Sequence, residues 1–277
     1  MIFQPKSPDH SVNVSSTNEF KDFILLTLSL LAILAGISLL FFSLSDYFVE
    51  KISLKTEAHL ASRLNLKSYQ NTQQLSPENN IYQLTQDLWK PYNIEKVPIE
   101  VNVVQLKSEN AFMTLGGRLL LTSELLHHTE NENDLAFVIC HELGHFYLRH
   151  VIKLQSHRVL LALGLQAIAL SNFDAEMLQG LAQLTELSFN RSQEAAADHF
   201  ALSCMNQKYG HIAGFDRFFR RVINKNRQSV VNTDHLTYFS THPGTEDRIE
   251  QMKSEATEMG ISLEGNTTPI RILLEIK

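Results

Sequence analysis

Long apolar runs alternate with polar punctuation along this chain, and their lengths divide it. Phe23 to Leu44 is 22 residues without a charge. As a helix rising about 1.5 Å per residue it reaches roughly 33 Å, enough to cross a bilayer core. Residues 1–22 are polar and of mixed charge, with Asp9, Glu19 and Asp22 against Lys6 and Lys21. A cleavable signal peptide would have a shorter apolar core, a basic leader and a small-x-small site, for which Ser43-Leu44-Ser45 is a weak candidate. The pattern predicts a tail over 1–22, an uncleaved single-pass transmembrane anchor over 23–44, and a connector and linker over 45–74 that is most polar from Gln70 to Gln74.

From 75 to 277 the chain is long enough to bury a full core. Ile99 to Leu106 is β-branched and reads as a strand; Asn110 to Met113 follows as a second extended piece. Gly116-Gly117 permits a tight turn before Arg118 to Thr122. Most of the remainder has helical spacing, so the fold class is α+β: mainly helical, with a small edge hairpin. Val159 to Leu170 is apolar for 12 residues but interrupted by Gly164 and Gln166, too short to span and better read as a buried or interfacial helix. Ile212, Phe215, Phe219 and Val222 recur at helical spacing within 212–223, with Arg217, Arg220 and Arg221 on the other faces, as in a core helix with a solvated basic side. Pro269 to Ile276 is apolar enough to pack as a strand or partner contact.

Net charge changes little in this picture. A formal charge of −6 spread along the chain gives no sign of a nucleic-acid binder. Lys51, Lys55, Arg63 and Lys67 follow the apolar segment against two lysines before it, a slight lean toward a cytoplasmic catalytic domain. Two cysteines make no disulfide framework and say little about the compartment, and Cys140 is expected to pack in the core rather than serve as a thiol ligand.

The chemistry is concentrated in His141-Glu142-Leu143-Gly144-His145. On a helix, positions i and i+4 share a face, so both histidines can turn an imidazole to one metal ion. Glu142, about 100° round the helix, can reach a water on that ion and act as general base. A catalytic zinc needs a third protein ligand. Leu148 and Val151 stand where a metzincin would place glycine and histidine, so the ligand comes from another segment. Glu194 is the candidate, with Asp198 at i+4 placed to bond the outer nitrogen of His141 or His145. Ala195, Ala196 and Ala197 give that helix a small-residue surface for close approach; the rival carboxylates Glu176 and Glu186 have no acidic partner at i+4. His127 and His128 read as exposed, His150 as off the ligand face, and His199 as pointing to another side of its helix.

Together, His-Glu-Leu-Gly-His and Asn190-Arg191-x-x-Glu194-x-x-Ala197-Asp198 resemble the gluzincin peptidases that include HtpX and the CAAX prenyl proteases. Ser240-Thr241-His242-Pro243 with Arg248-Ile249 is similar to that family's Ser-x-His-Pro element, and Asn110-Ala111-Phe112 to its edge strand. The resemblance covers roughly residues 76–255. It lacks the pair of long apolar segments that HtpX carries after its metal helix.

It implies a zincin-like domain with one Zn2+ per chain and a substrate strand at Asn110, Ala111 and Phe112, where β-augmentation would hold an extended peptide. It also implies that His242 borders the active site, either donating to the oxyanion of the tetrahedral intermediate or filling the open zinc position as a latch. Arg248 reads as the partner of a buried carboxylate. Two functions follow. One is a membrane-anchored zinc endopeptidase acting on membrane or envelope proteins beside a lipid bilayer; the other is a latent or non-proteolytic zinc-containing binding module.

Overall fold

The computed structural model describes residues 18–63, 72–169, 189–228, 242 and 246–270. It divides into two compact units between Leu44 and Ser45. The first is the body of helix α1 (Glu19–Lys51), the described helix long and apolar enough to cross a membrane. Within its apolar stretch the hydroxyls of Thr27, Ser29 and Ser38 donate to carbonyls four residues earlier, so none needs water. Glu19 and Asp22 in its first turn and Lys51 in its last complement the helix dipole.

In the second unit, the end of α1 meets α6 (His150–Ala169) through Ser45–Ser156, Asp46–His157 and Glu50–Lys153. Helix α2 (Leu54–Arg63) buries Leu54, Glu57 and Ala61. Glu57 accepts from the Gly116 backbone and pairs with Arg149, tying this connector helix to the edge hairpin and to the end of α5 (Glu132–Tyr147). Thr72–Gln74, polar enough to read as linker, is instead strand β1, an outer strand whose half-exposed side chains carry no apolar signal. Helix α3 (Asn80–Trp89) starts at the Asn79 cap and buries Ile81, Leu88 and Trp89.

Strands β2 (Glu100–Val104), β3 (Ala111–Thr114) and β4 (Arg118–Thr122) complete a sheet ordered β1-β2-β4-β3. Among the described strands only β2 and β4 run parallel; β3 turns into β4 through Gly116 and Gly117, at φ +82 and +81, and is an outer strand of the sheet. Helix α4 (Ser123–His128) follows directly, capped by Thr122.

Helix α5 begins at the Asn131 cap and is buried from Asn133 to Phe146, on every side. Its principal neighbour is α7 (Arg191–Tyr209), which starts at a reciprocal capping box: Asn190 accepts from Gln193 N, and the Gln193 side chain accepts from Asn190 N. A Cβ on Gly144 would lie 3.1 Å from Phe200 Cβ and 3.2 Å from the Ala197 carbonyl, so the approach is close at that glycine. Of the three alanines only Ala197 is fully buried there; Ala195 is exposed. Cys140 packs in the core as expected, and this proximity adds a bridge to it. The Cα atoms of Cys140 and Cys204 are 6.0 Å apart, within bridging range, and the two form a disulfide joining α5 to α7.

Helix α8 (Arg217–Gln228) starts later than the apolar spacing predicts, because Ile212 N bonds Ser262 O and Gly214 sits at φ +91. Ile212, Phe215, Phe219 and Val222 are buried nonetheless, while Arg221 pairs with Glu109 and Asp134. Helix α9 (Glu246–Glu258) closes the domain against α7. The run from Val159 is helical to Ala169; its side chains are described to Leu160, with Val159 exposed. Ile270 packs on the core; Glu176, Glu186, Ser240, Thr241 and Pro243 lie outside the described residues, as does the chain after residue 270.

Candidate metal centre

Helix α5 carries His141, Glu142 and His145 into the core, where their exposures are 0, 1 and 0%. The α7 cap places Glu194 in the first turn and Asp198 one turn later on the same face, both buried. His242, ahead of α9, is also buried. Donor atoms of His141, His145, Glu194 and His242 lie within 4.8 Å of one another. His141 Nε2 is 3.1 Å from His145 Nε2 and 3.4 Å from His242 Nδ1. Glu194 Oε1 is 3.3 Å from His145 Nε2 and 3.0 Å from His242 Nδ1.

This donor set fits a tetrahedral cation. Arms of about 2.0–2.1 Å to nitrogen and oxygen give tetrahedral edges of about 3.3–3.4 Å. Imidazole lone pairs converging at this distance repel one another in a buried site unless a proton or a cation lies between them. The chemistry of the set, imidazoles and one carboxylate, suits a borderline divalent metal.

The surroundings fix each donor. His141 Nδ1 is 3.0 Å from Asp198 Oδ1. Arg248 grips Asp198 through Nη2–Oδ1 at 2.8 Å and Nε–Oδ2 at 2.5 Å, and its Nη1 lies 2.5 Å from Glu194 Oε2. One guanidinium therefore braces both carboxylates of α7. His145 Nδ1 meets His150 Nδ1 at 3.0 Å, and the Phe189 ring stacks on His145 at 3.8 Å between centroids. His150 lies outside the four-donor cluster but is buried in contact with a member of it. His127, His128 and His199 are exposed.

Glu142 stands beside the cluster. Its Oε2 accepts the Met113 backbone N–H at 2.9 Å; its Oε1 is 3.4 Å from His242 Nε2 and accepts no hydrogen bond among the described residues. Burial raises the Glu142 pKa, against the lowering effect of His242, His141 and Met113. Burial pushes Glu194 up as well, but there the charges and hydrogen bonds of His242, His145 and His141 win, holding it well below the carboxylate range. The two carboxylates are thus pushed apart: one is poised to take a proton and the other stays ionised. Burial opposes ionisation of Asp198 too, and Arg248 outweighs it. Burial holds His145 neutral and brings His150 down to about 4.

The Met113 contact also orients the edge strand. Asn110 N bonds Thr122 Oγ1 and Asn110 O accepts from Thr122 N, so Asn110 faces β4. By the alternation of an antiparallel ladder, Phe112 faces β4 as well. The backbone groups of Ala111 and Met113 then point to the outer edge, beside Glu142.

A model of peptidase family M48 matches residues 75–256. The chain is 26% identical to the β-barrel assembly-enhancing protease of Yersinia pestis over 179 residues, 60% of this chain and 36% of that protein. It is 26% identical to metalloprotease LoiP of Escherichia coli K12, covering 61% and 67% of the two chains. Against the mitochondrial metalloendopeptidase OMA1 of Saccharomyces cerevisiae it is 29% identical over 166 residues, 57% and 47% respectively. The chain spans 36% of the length of the assembly-enhancing relatives.

Proposed function

The chain belongs to peptidase family M48, and from that premise we propose that it is a membrane-anchored, zinc-dependent endopeptidase. His141, His145 and Glu194 are the metal ligands, Glu142 is the general base, and Asp198 holds His141 in its liganding tautomer. The observation that carries the reading is the buried cluster, four of whose edges measure 3.0–3.4 Å and a fifth 3.6 Å, with Glu142 beside its His242 corner. Bound zinc supplies Lewis acidity, polarising a carbonyl and lowering the pKa of water to about 7.

The side chains divide the remaining tasks. An extended peptide pairs with the backbone of Ala111 and the Met113 carbonyl at the outer edge of β3, the Met113 N–H staying on Glu142, and this holds the peptide backbone without reading its side chains. Glu142 takes the proton of the attacking water and passes it to the leaving amine, a role that its raised pKa favours. Glu194, kept ionised, stays a ligand throughout.

His242 supports a second reading, a latent form. Its Nδ1 lies at a corner of the donor cluster and its Nε2 faces Glu142, so in this arrangement it fills the position a substrate carbonyl would need. Moved out of that corner, the same imidazole is placed to donate to an oxyanion.

Helix α1 is the proposed anchor. The Cys140–Cys204 disulfide favours the oxidising side of the membrane for the catalytic domain, against the slight lean of the flanking lysines and arginine. Relatives named for β-barrel assembly enhancement and for mitochondrial metalloendopeptidase activity support membrane or envelope proteins as substrates. The metal assignment is tested by elemental analysis of the purified full chain. One zinc per chain, lost in His141→Ala and Glu194→Gln, is expected; zinc retained by both variants contradicts it.

A further inference from the structure

Resting on the reading of the cluster as a metal centre, we propose that His150 is a positioning residue for His145: its Nδ1 accepts the His145 Nδ1–H and fixes the tautomer that presents Nε2 to the metal. His145 Nε2 points inward, 3.1 Å from His141 Nε2 and 3.3 Å from Glu194 Oε1. Its other nitrogen faces away, 3.0 Å from His150 Nδ1. Two ring nitrogens at that distance share one proton. A ligating Nε2 has given its lone pair to the metal, so the proton sits on His145 Nδ1, and His150 is the acceptor.

The chain bends to make this contact. Five residues along a straight helix would put His150 about 140° from His145. Instead α5 ends at Leu148 and Arg149 takes φ +67, a left-handed conformation that reverses the chain before α6 begins at His150. Arg149 is held there by its ion pair with buried Glu57. His150 is consequently 8% exposed, and Phe189 lies on the face of the ring whose edge His150 holds.

The two histidine ligands are therefore braced by different chemistries. His141 leans on a carboxylate anchored by arginine, and His145 on an imidazole. Partners of this kind typically change metal affinity by about 10- to 100-fold when removed.

Zinc competition titration of the full chain against a chromophoric chelator tests this, with His150→Ala, His150→Gln and His145→Ala. His150→Ala should bind zinc about 10- to 100-fold more weakly. His150→Gln, which keeps an acceptor oxygen, should recover most of that loss. Wild-type affinity in His150→Ala overturns the inference, and so does an equal loss in His150→Ala and His150→Gln, which would make volume the cause rather than the acceptor. Wild-type affinity in His145→Ala overturns the metal-centre reading itself, and this inference with it.

Discussion

Met113 donates its backbone N–H to Glu142 at 2.9 Å, so the strand proposed to hold the substrate also holds the proposed general base. This couples substrate placement to proton transfer through one peptide unit. A peptide pairing with β3 is aligned by the segment that orients the carboxylate, and a shift of the strand moves both. Replacing Met113 with proline removes the N–H and should lower turnover by about 10²-fold or more, with zinc content unchanged. Zinc analysis alongside peptide hydrolysis checks this.

Arg248 braces Asp198 and Glu194 together. Arg248→Met leaves two buried carboxylates without their counter-charge and should destabilise the domain by about 3–5 kcal/mol. Asp198 has a pKa below its ordinary value in the folded protein. Its contribution is therefore present in full well above the unfolded-state pKa of about 3.9 and is lost progressively as pH falls from there through the lower folded value. Denaturant melts at pH 7 and near pH 3 should show the variant's deficit shrinking at the acid end; a constant deficit would contradict the ion-pair assignment.

The outline of this site is legible in the sequence wherever residues four apart share a face. His141 with His145 and Glu194 with Asp198 follow from helical geometry, whereas the Asn190–Gln193 cap that starts the second helix shows only in the structure. The hairpin turn is legible because Gly116 and Gly117 are needed at positive φ. His150 is not, because its approach depends on Arg149 leaving helical conformation, and arginine carries no signal for that. Phe189 is equally hidden, since only the three-dimensional path before the cap lays its ring on His145. The disulfide depends on the packing of α5 against α7, which residues 64 apart do not announce. Strand β1 is missed because an outer strand has no apolar periodicity to show.

The Cys140–Cys204 bridge closes a long loop across the helices that carry the ligands. For a separation of 64 residues, constraint of the unfolded chain is worth about 4 kcal/mol in the chain-entropy model. Reduction, or Cys140→Ala with Cys204→Ala, should lower the melting temperature by several degrees or more. Mass spectrometry of the chain from its native membrane should show the bridged form; free thiols there would place the domain on the reducing side.

His242 fills a corner of the cluster in this arrangement. His242→Ala should raise hydrolysis of an unfolded protein several-fold, because the corner becomes open to substrate. Initial-rate measurements decide it. A loss of about 10²-fold or more would instead assign His242 to oxyanion stabilisation alone.

The most direct test of the central claim is hydrolysis of casein by the purified full chain in detergent, compared for the zinc-loaded protein, the chelated protein and Glu142→Gln. The account predicts cleavage by the zinc-loaded protein, abolished by chelation and restored by added zinc. Glu142→Gln should bind zinc normally and lose activity by about 10²–10⁴-fold or more. Undiminished cleavage by Glu142→Gln with its zinc in place would contradict the account.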